Sequence, residues 1–200
     1  LGNLYKDIGD YAKAEKYLYE ASEIRRRTLG ESHFNYGVSL NNLGSLYEQM
    51  GNFRAAAMYY ADSYIIWSKT LGNSHPLIAT AYNNYAGLHT KVGNYRDAEV
   101  YYQKSLEVCK AVYGEKHEKY ASTLSNLGNV YRLMRNPQKA KEAASTCLVL
   151  RKEIFGPDHI DVGYSLNNLA LVQMDQGDFA GAEKNLLQAL AIFKASLGKN

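Results

Sequence analysis

Four histidines recur at intervals of 42 residues: His33, His75, His117 and His159. Clustered imidazoles bind transition metals, but zinc needs every ligand within about 2.0–2.3 Å of one ion. One histidine per repeating unit sets successive rings about a helix-packing distance apart, ~8–10 Å, which is too far to share an ion. The spacing assigns them a local task instead, bonding backbone groups left free at a helix junction. Pro76, directly after His75, suits the first turn of a helix. Cys109 and Cys147 form no spaced pair, and Cys147 falls at a position that is small throughout. Unpaired cysteines and the lack of an Asn-x-Ser/Thr sequon fit a reducing, cytoplasmic setting. There is no Gly-rich phosphate loop, no Gly-x-Ser-x-Gly and no histidine pair on one helical turn. Catalysis, a cofactor and a bound metal are therefore not expected.

A second series carries recognition chemistry. Asn42, Asn84, Asn126 and Asn168 are again 42 apart, preceded by Asn41, Asn83 and Asn167 and followed three residues on by Ser45 and Asn129, with Asn3 in the first copy. A carboxamide both donates and accepts, which matches the alternating N–H and C=O groups of an extended peptide. Lys6, Lys91 and Arg132 add positive charge along the same strip, while Asp7, Glu48 and Asp175 occupy equivalent places, so the strip is mixed in sign. Thr90, Leu133, Tyr164, Leu171 and Met174 offer small apolar pockets for an anchoring side chain. The same asparagines can equally bond neighbouring units and stiffen the array, and the residue types alone leave both roles open.

The elements that position these residues follow from the repeat. Position 1 of each unit is set at Gly37, Ala79, Ala121 and Gly163. The 200 residues then make a little under five copies, 1–36, 37–78, 79–120, 121–162 and 163–200. A period of this length means stacked supersecondary units and excludes a closed barrel or a doubly wound sheet. Leu40, Leu43, Gly44 and Tyr47 fall at i, i+3, i+4 and i+7, one face of a helix A. Positions 2, 6, 9 and 13, with the asparagine series at position 6, fall on the opposite face. Gly51, Gly93 and Gly177 end helix A. Phe53, Ala56, Tyr60, Ser63 and Ile66 mark helix B, which Gly30, Gly72, Gly114, Gly156 and Gly198 close. Ala14, Ala56, Ala98, Ala140 and Ala182 are identical in all copies, and position 8 is always Gly or Ala, so the two helices cross closely. Charged residues are 22% and hydrophobic ones 46%, which excludes a disordered chain, and no apolar run is long enough to insert in a membrane. A net charge of +3 is too small for a nucleic-acid surface, and Arg25-Arg26-Arg27 reads as cations favoured at a helix C-terminus.

Leu40-x2-Leu43-Gly44-x2-Tyr47 followed by Ala56-x3-Tyr60 resembles the tetratricopeptide repeat pattern. Helix B is longer than in the common 34-residue unit, and Leu71-Gly72-Asn73-Ser74-His75-Pro76 with Asn83-Asn84 is similar to the 42-residue repeats of kinesin light chains and relatives such as nephrocystin-3. The resemblance implies an all-α, right-handed α-solenoid in which the asparagine face of helix A lines a concave groove. It implies a cargo-adaptor or scaffold that binds an extended partner peptide there, with Asn41, Asn42, Ser45, Asn83, Asn84, Lys91, Asn126, Asn129, Arg132 and Asn168 as contact residues. Kinesin light chains use groove asparagines and basic residues for acidic, aromatic-bearing peptides, and the mixed sign here departs from that. The alternative is a spacer or self-associating segment that stacks through uncapped end repeats, or the sensor repeats of a larger signalling protein. With six residues missing from the first unit, four from the last and no capping helix, the chain reads as a window from a longer array.

Overall fold

The computed structural model describes residues 1–198, which form ten helices and, among the described residues, no strand. These are α1 (Gly2–Asp7), α2 (Tyr11–Leu29), α3 (Phe34–Gln49), α4 (Phe53–Leu71), α5 (Pro76–Lys91), α6 (Tyr95–Tyr113), α7 (Glu118–Leu133), α8 (Pro137–Phe155), α9 (Ile160–Asp175) and α10 (Phe179–Leu197). Odd-numbered elements are helix A of each unit and even-numbered ones helix B. Helix A begins at residue 34, 76, 118 or 160, so the boundaries drawn at Gly37, Ala79, Ala121 and Gly163 fall one turn inside it.

Side chains close the helix starts. The histidines cap helix A: Nδ1 of His33, His75, His117 and His159 accepts the backbone N–H of Asn35, Leu77, Lys119 and Asp161 at 3.1–3.2 Å. Helix B is capped by Asp or Asn, with Asp10, Asn52, Asn136 and Asp178 accepting from the third residue on. Such caps hold donors that have no partner within the helix. Helix B ends where Gly72 takes φ 76° and ψ 168°, a region that only glycine enters cheaply. Helix A ends on positive φ at Gly9, Gly51, Gly93 and Gly177, and at Arg135 with φ 55°, the one non-glycine among the described residues with positive φ.

The chain divides into two compact units, Leu1–Asn94 with α1–α5 and Tyr95–Asn200 with α6–α10. In the first unit, Ala14, Leu18, Leu43 and Leu46 form one buried cluster, and Ala56, Tyr60 and Leu88 another. The second unit buries Ala121, Cys147 and Leu150, and beyond them Val162, Leu166, Ala189 and Ile192. The invariant alanines are buried in every copy, as the close crossing requires. Helix A also buries positions 3 and 10, which the single-face pattern does not include. Ser39, Ala81, Thr123 and Ser165 are buried, as are Leu46, Leu88, Val130 and Val172. The reason is that helix A packs on the preceding helix B as well as its own. Arg25 on α2 donates to Ser39 Oγ at 2.6 Å, and Arg151 on α8 reaches Ser165 Oγ at 3.0 Å and the Asp161 carbonyl at 3.2 Å.

Small residues at the crossings match what faces them. A Cβ on Gly37 would stand 2.7 Å from Trp67 Nε1, and one on Gly163 would stand 2.7 Å from the Phe193 ring. The repeats that carry Ala79 and Ala121 at position 1 have Cys109 and Arg151 in place of those aromatic rings.

Candidate functional site

In the first unit, three contacts between sequence-selected residues join adjacent A helices. Asn84 Nδ2 on α5 donates to Asn41 Oδ1 on α3 at 2.7 Å. Lys91 Nζ on α5 pairs with Glu48 on α3 at 2.9 Å. Lys6 Nζ on α1 donates to Ser45 Oγ on α3 at 3.1 Å. Glu48 also accepts from the Tyr60 hydroxyl at 2.6 Å. Burial of Tyr60, then that bond to a carboxylate, holds its phenol above the ordinary tyrosine range. Tyr47 is raised too, first by its hydrogen bond to Glu15 and then by burial. Stacked rings brace the same helices, with Tyr5 on Tyr17 at 5.5 Å and Tyr47 on Tyr59 at 5.3 Å between centroids. Asn42 is half-buried and lines a cleft beside Asn3, Ser39 and Arg25, and Asn83 is half-buried on α5.

In the second unit the same register recurs with other residues. Asn168 Nδ2 on α9 donates to Ser125 Oγ on α7 at 3.1 Å, and Arg132 on α7 pairs with Asp175 on α9 at 3.2 Å. The asparagine bonds and both ion pairs span 43 residues, one repeat plus one. Asn84 and Asn168 thus serve as staples between neighbouring repeats, one of the two roles their residue type allowed. Of the three basic candidates, Lys91 and Arg132 are engaged by the acidic residues that made the strip mixed in sign, and Lys6 by Ser45.

Four polar residues of this face converge on one cleft. Ser125, Asn129, Arg132 and Asn168 rim a narrow cleft of about 20 Å³, whose floor and walls are Gly128, Ala144, Cys147, Leu171 and Val172. Asn126 and Asn129 are exposed on α7, whereas Asn168 is half-buried. Ser125, Ala144 and Cys147 were not selected from sequence as site residues. The signal for Ala144 lies in the repeat alignment, because Leu18, Tyr60, Tyr102 and Leu186 hold its place in the other copies.

A tetratricopeptide repeat model matches residues 1–69, 56–106, 77–153 and 136–195. The chain belongs to the tetratricopeptide repeat family. Tetratricopeptide repeats are protein–protein interaction modules. Among solved structures, BtubC (BKLC) from P. vanneervenii is similar over 99% of this chain and 79% of its own, at 27% identity and a TM-score of 0.86. A kinesin-light-chain-type protein of Podosopora anserina with nearly identical TPR-like repeats is similar over 100% of this chain and 94% of its own, at 20% identity and a TM-score of 0.82. A search of curated proteins by sequence gives no match. The fold of these tetratricopeptide repeats is an all-α solenoid of the kinesin light chain-like type. No described helix is long and apolar enough to cross a membrane, and among the described residues no three His, Cys, Asp or Glu side chains are placed to hold a metal ion.

Proposed function

We propose that this tetratricopeptide array is a scaffold or cargo-adaptor module that holds an extended partner peptide along the asparagine face of its A helices. The observation that carries this reading is the pair of exposed asparagines on α7, Asn126 and Asn129, beside the polar rim of Ser125, Arg132 and Asn168. Both asparagines are exposed, and a carboxamide matches the backbone groups of an extended segment. Asn41, Asn42, Ser45, Asn83, Asn84 and Lys91 are the candidate contacts within the first unit, where Asn84 and Lys91 also act as staples. Because Arg132 and Lys91 are paired with carboxylates, the strip does not favour a strongly acidic ligand. Free, buried Cys109 and Cys147 fit a cytoplasmic location.

The test is binding of peptides selected from a random library, measured by fluorescence polarisation. Asn126→Ala/Asn129→Ala, whose side chains are exposed and whose fold is checked by circular dichroism, should weaken binding at least tenfold. Unchanged binding in the folded double variant would sink the groove reading. A second reading, self-association, is favoured by the apolar surface of α10, where Phe179 is 68%, Leu187 60% and Leu190 47% exposed. Sedimentation velocity across a hundredfold concentration range separates the two, since oligomers that bind no peptide favour the second.

A further inference from the structure

Leu4 departs from a column that is otherwise buried. Position 10 of the repeat holds Leu46, Leu88, Val130 and Val172, all buried, and Leu4, which is 58% exposed. The first two show what such a residue sits on. Leu46 of α3 clusters with Ala14, Leu18 and Tyr11 of α2, and Leu88 of α5 clusters with Ala56, Tyr60 and Phe53 of α4. The seat is therefore made by positions 17, 20 and 24 of the preceding helix B. On α10 those positions are Phe179, Ala182 and Leu186, and with Glu183 and Leu190 they line an open hollow of about 320 Å³. Phe179, Leu186 and Leu190 are all exposed there. The chain thus carries one seat that is open and one aliphatic residue of the type that fills such seats.

The polar groups beside them match as well. Next to Leu46, the Tyr47 hydroxyl donates to the carboxylate of Glu15, at position 21 of α2. Next to Leu4 stands Tyr5, and position 21 of α10 is Glu183. Neither the Tyr5 hydroxyl nor the Glu183 carboxylate makes a hydrogen bond among the described residues. The α2–α3 contact sets Tyr11, Ala14, Glu15 and Leu18 against Leu43, Leu46 and Tyr47. The corresponding residues of α10 are Phe179, Ala182, Glu183 and Leu186, and those of α1 are Leu1, Leu4 and Tyr5. Only the first differs, and it keeps a ring. The α4–α5 and α8–α9 contacts lack the polar pair, with Ala57 before His89 and Lys141 before Gln173. Two faces that reproduce a contact already made within the chain are complementary to each other.

We propose that the open face of α10 takes α1 of a second copy of this chain, with Leu4 entering the hollow beside Phe179 and Leu186 and the Tyr5 hydroxyl donating to Glu183. The proposal rests on the self-association reading and adds which two faces meet. Because the faces differ, the contact is heterologous, each copy using one face and leaving the other for the next. Sedimentation velocity across a hundredfold concentration range should show oligomers that grow with concentration. Leu4→Asp and Phe179→Asp alter exposed side chains, so both should keep the wild-type circular dichroism, and each alone should sediment as a monomer. An equimolar mixture of the two should form a dimer and nothing larger, since only one intact α1 can meet one intact α10. Glu183→Lys, which places at position 21 the residue type that Lys141 already holds there, should raise the dissociation constant about tenfold, and it decides the matter if either aspartate variant misfolds. Oligomers that persist at full strength in Phe179→Asp and Glu183→Lys overturn this junction and leave self-association standing. Folded, monomeric Leu4→Asp and Phe179→Asp that form no dimer when mixed also overturn the pairing of α1 with α10. A wild-type monomer at every concentration overturns the junction and the self-association reading together.

Discussion

Gly37→Ala is the substitution whose cost the structure fixes best. The added methyl would stand 2.7 Å from Trp67 Nε1 and 3.0 Å from Cδ1, inside any permitted contact, and Trp67 is 1% exposed, with nowhere to move. Its Nε1–H donates to the Phe34 carbonyl at 3.0 Å, so displacing the indole also strains that bond. Overpacking of this kind costs about 1–3 kcal/mol and the hydrogen bond about 1 kcal/mol. Replacing a glycine within a helix by alanine returns up to about 1 kcal/mol of helix propensity. The net loss is about 2 kcal/mol, and a fall in melting temperature of roughly 4–8 °C for a chain of this length. Gly128→Ala is the control. It gains the same propensity, while its Cβ would stand 3.2 Å from Ala143 Cβ, in ordinary contact with the α8 backbone and against no ring, so its melting temperature should stay within about 2 °C of wild type. Both are read by circular dichroism at 222 nm and by urea titration. If Gly37→Ala melts at or above wild type, the pairing of glycine with an aromatic partner across the A–B crossing is wrong.

Arg135 holds φ 55° where the other repeats have glycine, a conformation that costs a side chain about 1–2 kcal/mol. Arg135→Gly, after the extra freedom of glycine in the unfolded chain is deducted, should stabilise by about 0.5–1 kcal/mol in urea titrations. His75→Ala removes the cap on α5 and should cost about 1 kcal/mol, whereas His75→Asn, which keeps an acceptor, should recover most of it. Tyr60 keeps its proton in the native state to higher pH than an exposed tyrosine. The unfolded chain begins to lose that proton near pH 10, so above that value the native state binds more protons and stability falls as pH rises further. Urea midpoints should hold up to about pH 9.5 and decline beyond, less steeply in Tyr60→Phe, and a flat profile to pH 11 would contradict the burial of that phenol.

The fold was legible because five copies report on each position. A column such as Ala14, Ala56, Ala98, Ala140 and Ala182 states a packing constraint five times, and all five are buried. The helix ends were legible for the same reason, since glycine recurs where φ is positive. The second buried face of helix A was not, because Ser39, Thr123 and Ser165 are polar and carry no hydrophobic signal. Their burial is compensated by hydrogen bonds, two of them from Arg25 and Arg151 on the preceding helix B. The asparagine column was visible, but its use depends on a one-residue offset between neighbouring A helices that no helical wheel contains. The cleft left its trace as a deviation, in Ala144 against the larger residues of the other copies, and attention to what repeats passes over what stops repeating.

The offset of 43 has a consequence for how the array is ordered. In both units position 12 of one A helix pairs with position 13 of the next, but the polarity is reversed: Glu48 meets Lys91, and Arg132 meets Asp175. Exchanging α3 and α7 would set Arg132 against Lys91 and Glu48 against Asp175, like against like in each case. Copies built on one pattern risk docking a helix beside the wrong neighbour during folding, a hazard of repeat chains. Each pair is partly exposed and worth at most about 1 kcal/mol as a bond. Its larger effect is as an address, because a helix set beside the wrong copy meets a like charge.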